Sequence, residues 1–194
     1  MLAGHEAVMR FGEGPCRLEI VDETDYSPGS QDNLRSYAAL LSLEPEYRAS
    51  STYGIRCLEG ESTTASLAIA ASGGTTGVNA ASCVLLHDRC FVAVGYHIVC
   101  LQVPELTVQW HTQGDLASCF GLYLVPGEKH IIVHGECAIS KFTIEGVRVW
   151  EFSGRDIFTG PFAVTRDTIE AVDFDDVHYL IDIDSGAERI ADAG

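Results

Sequence analysis

Seven histidines, 28 acidic side chains and seven cysteines are the groups in this chain that could do chemistry, and their spacing limits what chemistry is open to them. His130 and His134 stand four apart in a β-type run, so they share one strand face, but no third ligand lies near them in sequence and surface imidazoles are the simpler reading. Asp173, Asp175 and Asp176, with Asp182 and Asp184, raise the question of calcium. The stretch Asp182-x-Asp184-x-Gly186-x-Glu188 lacks the middle acid and the downstream glutamate of a calcium loop, and a turn accounts for it. Gly73-Gly74-Thr75-Thr76-Gly77 has the small residues of a phosphate cradle but no following lysine to set positive charge against the phosphates. There is no G-x-S-x-G elbow, and serine, histidine and aspartate are too scattered to nominate a triad. Tandem acids such as Asp22-Glu23 are frequent because the whole chain is acidic, so a glycosidase pair is not legible. The sequence nominates no catalytic residue, no metal ligand and no cofactor.

The elements that would position such groups show more order. Trp110, Trp150 and Ile190 close three segments of one shape: Phe91 to Trp110, Ile131 to Trp150 and Ile169 to Ile190. In each, two short β-type runs lead through a turn to a third run that ends in a large apolar residue. A period near 40 marks a repeat architecture whose units cannot bury their apolar faces alone. Short strands joined by tight turns predict a meandering antiparallel sheet of four strands in each unit. Trp110 and Trp150 are expected at equivalent, largely buried positions between sheets. Before the repeats, residues 1–71 read as an N-terminal arm (1–15) and a β-rich cap (16–71); residues 72–82 are a connector of small residues, and 83–194 form the repeat region.

The stretch Tyr179-Leu-Ile-Asp-Ile-Asp-Ser-Gly-Ala-Glu-Arg-Ile190 resembles the blade repeat of quinoprotein-like β-propellers. There an apolar strand ends in an acid, a small residue and glycine make the turn, and the next strand carries an apolar or aromatic anchor. Gly146 matches the turn glycine in the second segment, while the first departs, with Pro104-Glu105 and no glycine. The resemblance covers residues 83–192 and implies an all-β fold. That fold is three propeller-like four-stranded antiparallel repeats, a small or incomplete propeller with an N-terminal β-rich cap. It implies no chemistry, because such repeats serve many functions.

Equivalent turns of successive blades emerge on one side of the assembly. Overlaying the repeats places Tyr96 and His97, His134 and Glu136, and Asp175 and Asp176 in the same turn, and these six are the candidate ligand-binding residues. The net charge of −16 is spread along the chain, which opposes binding to nucleic acid or to anionic membranes and favours a basic protein partner. The N-terminal residues lack the apolar stretch of a secretory signal, so a cytoplasmic location is expected. With it, the cysteines are expected as free core residues rather than a disulfide framework. Together these features point to a non-catalytic binding or scaffold module that meets another protein through its repeat turns. Two alternatives stay open: a hydrolase or lyase whose acids converge from distant strands, and an acidic inhibitor, such as an immunity protein, of a basic target.

Overall fold

In the computed structural model the described residues are 8–12, 16–74, 76–125, 127 and 129–189, and their regular elements are all strands. The first sheet comprises β1 (Val8–Phe11), β2 (Cys16–Asp22), β3 (Ala39–Ser42), β4 (Ser51–Glu59) and β5 (Ser62–Ala71), in the order β1-β2-β4-β5-β3. β1, β2, β4 and β5 are an antiparallel meander; β3 lies in the excursion between β2 and β4 and pairs parallel with β5. The cap is therefore a four-stranded meander like the repeats, with one inserted segment. Part of the expected arm is the edge strand β1: its Met9 and Phe11 pack on the core, which a run of four residues is too short to announce.

The repeat region forms three further antiparallel sheets. The first unit is β6 (Cys83–Leu86), β7 (Arg89–Val94), β8 (His97–Gln102) and β9 (Thr107–Gln113). The second is β10 (Cys119–Leu124), β11 (His130–Gly135), β12 (Ile139–Thr143) and β13 (Arg148–Phe152). The third has β14 (Phe162–Val164), β15 (Thr168–Val172) and β16 (His178–Asp182), with a bridge from Ile181 to Glu188 at the fourth-strand position. Ile190 lies outside the described residues.

Three apolar cores join the four sheets in series. Cys90, Val92 and Val94 of β7 face Leu18, Ile20, Ile55 and Ile69 of the cap, while Phe91 and Ala93 of the same strand face the second unit. Ile131 and Val133 of β11 turn back toward the first unit, and Ile132 turns toward the third. A strand buried on both faces has no polar side to show, which is why Phe91 to Val94 reads as an unbroken apolar run. Of the cysteines, Cys83, Cys90, Cys100 and Cys119 are free and buried, packing as small hydrophobes. Cys57 departs from the expected pattern: it is disulfide-bonded inside the cap core.

Trp110 and Trp150 are equivalent, as the overlay requires. Each lies on the outermost strand of its unit and reaches across to the next. The Trp110 indole donates to the carbonyl of Ile144 at 3.1 Å, and that of Trp150 to the carbonyl of Ile183 at 3.2 Å. The rings lie over Gly146 and Gly186, where an added Cβ would come within 2.9 Å and 2.6 Å of ring atoms. Both rings are half-buried, less than expected. The missing glycine of the first unit is explained by the same contact. Leu106, Gly146 and Gly186 all adopt positive φ, at 57°, 84° and 70°. No tryptophan precedes the first unit, so a side chain fits there, and Leu106 fills the space within the core shared with the cap.

Candidate functional site

The inner turns of the units and the connectors between units emerge on one side of the stack and are hydrogen-bonded into a continuous row. The Tyr96 carbonyl accepts from the N–H groups of Gly114 (2.8 Å) and Asp115 (3.2 Å), and the Gly95 carbonyl from Cys119 (2.8 Å). Further along, Glu136 N–H donates to Ser118, Phe158 N–H to Glu136, and Phe174 N–H to Ile157. The excursion between β2 and β4 joins this row through Glu44. Its carboxylate accepts from the Ser72 amide and hydroxyl, both at 3.0 Å, and is hydrogen-bonded to the His97 Nε2. Partial burial would raise the Glu44 pKa, but donation from Tyr96, Ser72 and His97 outweighs it and holds the value at about 2.

The row brings together the turns that carry all six sequence candidates, but it does not expose all of the side chains. Tyr96 and Glu136 are partly exposed, and Asp175 and Asp176 are exposed. His97 is buried against Glu44 and Tyr96. His134 is buried as well, stacked on Phe162 with ring centres 4.1 Å apart and planes 5° apart. Burial lowers its pKa to about 4, only partly opposed by its hydrogen bond to the Phe158 backbone, so the ring is neutral at pH 7. Both histidines are thus packed into the turns, with little of either ring exposed. Asp173 is a third residue of this kind. It is buried, and accepts from the N–H groups of Asp175 (3.0 Å) and Val177 (2.9 Å) and from the Tyr179 hydroxyl (2.7 Å). Burial would raise its pKa, yet those donors hold it below the usual carboxylate range. Among the described residues no three His, Cys, Asp or Glu side chains converge as a metal-ligand group.

Sequence reasoning missed the residue that ties the middle of the row together. Asp115 is buried and accepts four backbone N–H groups: Ala117 (2.8 Å) and Ser118 (3.1 Å) in its own connector, Cys137 (3.1 Å) and Ala138 (3.0 Å) in the next turn. Gly114 before it and Ser118 after it were the available turn signal. Three large apolar residues were also missed. Tyr47 in the excursion is 67% exposed, Leu116 in the first connector 80%, and Phe174 in the last turn 67%. Glu46, Asp156, Asp175 and Asp176 stand exposed among them, with Arg48 and Arg155 the interspersed cations.

No protein-family model and no curated protein sequence matches this chain. Solved structures do resemble it. The crystal structure of BamB from Moraxella catarrhalis aligns over 74% of this chain and 44% of its own, at 16% identity and a TM-score of 0.50. The computationally designed Ika8 protein aligns over 95% of this chain and 61% of its own, at 8% identity and a TM-score of 0.56. The fold is propeller-like. At such identities the likeness speaks to fold alone, and the chain spans less than two thirds of the length of either structure. The Ika8 alignment takes in nearly the whole chain, in keeping with a cap that is itself a blade-like meander, so four propeller-like sheets follow one another.

Proposed function

We propose that this propeller-like chain is a non-catalytic binding module that recognises a cationic, partly apolar segment of another protein along the row of turns. One observation carries the reading. Tyr47, Leu116 and Phe174 come from three separate parts of the stack, yet all are exposed and all belong to the segments of this one hydrogen-bonded row. Isolated apolar residues on a surface are ordinary, but a row of them set among carboxylates has the composition of a recognition surface. Of the sequence candidates, Tyr96, Glu136, Asp175 and Asp176 remain available to a partner, and the acids favour a basic one. His97, His134, Asp115 and Asp173 hold the turns at fixed spacing, which lowers the ordering cost of binding. An inhibitor of a basic target is one form such a module takes.

Selection of random peptides displayed on phage tests this reading. Wild-type protein is expected to enrich peptides that combine lysine or arginine with large apolar residues. A variant carrying Leu116→Ser and Phe174→Ser should lose them. Binding should also weaken from 0.1 M to 1 M salt, as the Debye length falls from about 10 Å to about 3 Å. Equal enrichment by the variant, or peptides without positive charge, would sink the proposal.

A further inference from the structure

The two ends of the stack differ in kind. In each unit, the face turned toward the next carries a paired residue couple: Phe91 with Cys100 in the first, Ile132 with Lys141 in the second, Glu170 with Leu180 in the third. The first two couples are covered, Lys141 reaching Asp184 of the following unit at 3.6 Å. The third faces outward. A groove of about 730 Å³ opens there, lined by Phe162, Ala163, Val172 and Leu180 and edged by the exposed acids Glu170 and Glu188. Arg189 also lies at this edge, but it is engaged with Asp182 at 2.5 Å.

At the opposite end, the outer face of the cap has the reverse charge. β1, β2 and β4 turn Arg10, Arg17 and Arg56 outward around the buried Glu19, which Arg10 and Arg56 share. The sheet itself thus sets three arginines beside one glutamate on a chain of net charge −16, while the excursion next to it carries the exposed acids Asp25 and Asp32. The excursion lies over the rest of that face, with Tyr37 seated on Gly54 and held by Glu23. In the same excursion Leu34 projects with 84% of its surface exposed.

We propose that a second copy of this chain covers the open groove head to tail, its Leu34 entering the groove and its Arg10 and Arg17 meeting Glu170 and Glu188. The argument is complementarity on both counts. An apolar projection and arginines stand at one end, an apolar groove and glutamates at the other, and the remaining acidic surface repels a second copy. Head-to-tail contacts close into a ring when the rotation permits. Two copies of four sheets make eight, within the range of about 4 to 8 blades that closed propellers use. Closure also covers the open face of the third unit, as it does in any closed propeller.

Light scattering of the 194-residue chain, over a wide concentration range at low salt, should give twice the 21.0 kDa chain mass. Leu34→Asp should leave a monomer. The head variant Arg10→Glu/Arg17→Glu and the tail variant Glu170→Arg/Glu188→Arg should each be monomeric alone. Mixed together they should restore the dimer, because in the mixed pair both contacts again join opposite charges. Circular dichroism of each variant separates lost association from lost folding, and restoration on mixing requires folded partners. A wild-type monomer at every concentration, a ladder of larger species in place of a closed pair, or no restoration on mixing would each overturn the proposal. None of these outcomes touches the turn row, whose residues all stay intact in these variants.

Discussion

At the scale of single residues, several of the groups most suggestive of chemistry are buried among their neighbours. His134 shows why. Its ring is removed from water by Phe162 and Phe120, and burial costs the charged form more than its backbone hydrogen bond returns. A histidine with pKa about 4 when folded and 6.5 when unfolded binds fewer protons in the native state between those values. Stability from this residue is therefore complete above pH 6.5 and is lost as pH falls toward 4, by about 3 kcal/mol in all. Urea unfolding at a series of pH values should show that slope in the wild type and a flatter one in His134→Phe. Identical slopes would mean that the ring is solvated in the folded protein. Asp115 is buried too, and four backbone N–H donors satisfy its carboxylate, so it binds two turns together.

At the scale of elements, the tryptophan-on-glycine contact is the unit of cohesion between neighbouring sheets. It needs a turn residue with positive φ and no side chain, which only glycine provides without strain. Gly186→Ala should cost about 2–4 kcal/mol, from left-handed strain together with collision with the Trp150 ring. Gly60 is the control. It has φ of 63° with nothing within 4 Å of an added Cβ, so Gly60→Ala should cost only the strain, about 1–2 kcal/mol. Thermal melts of the two variants check this, and equal losses would show that the ring moves aside freely. The repeat overlay located these contacts because tryptophan and glycine are rare, distinctive letters. It was one residue out of register on the inner strands. Phe91 corresponds to Ile132 rather than to Ile131, since each faces the following unit. The extra residue in the turn around Pro104 absorbs the difference before Trp110. Alternation could not expose the slip, because strands buried on both faces are apolar at every position.

At the scale of the whole molecule, each core is shared by two adjacent sheets, and among the described residues no core joins the cap to the third unit. Stability should then behave as a sum of neighbour terms along a line. Ile181→Ala removes a fully buried side chain from the last core only, with an expected loss of about 2–5 kcal/mol. Hydrogen exchange should show this as lost protection in β15 and β16, while amides of β4, β5 and β7 keep theirs. Uniform loss across all four sheets would show a single cooperative unit instead. The opposite charges of the two end faces belong to this scale too. They emerge only when residues 10 and 17 are set at one limit of the stack and 170 and 188 at the other.

The all-β class, the period of the repeat, the equivalence of Trp110 and Trp150 and the turn that ends each inner hairpin are legible in the order of the residues alone. These are local matters of strand period, turn chemistry and rare anchoring residues, all of which act over a few positions. The blade-like character of the cap was hidden because its excursion separates β2 from β4 by 28 residues and breaks the spacing on which a repeat is recognised. Which turn residues face solvent was also beyond reach. His97 and Asp175 occupy comparable turns, but one is covered by Glu44, brought from 53 residues away, and the other is not. Burial is a property of what arrives from elsewhere in the chain, and only the tertiary structure decides it.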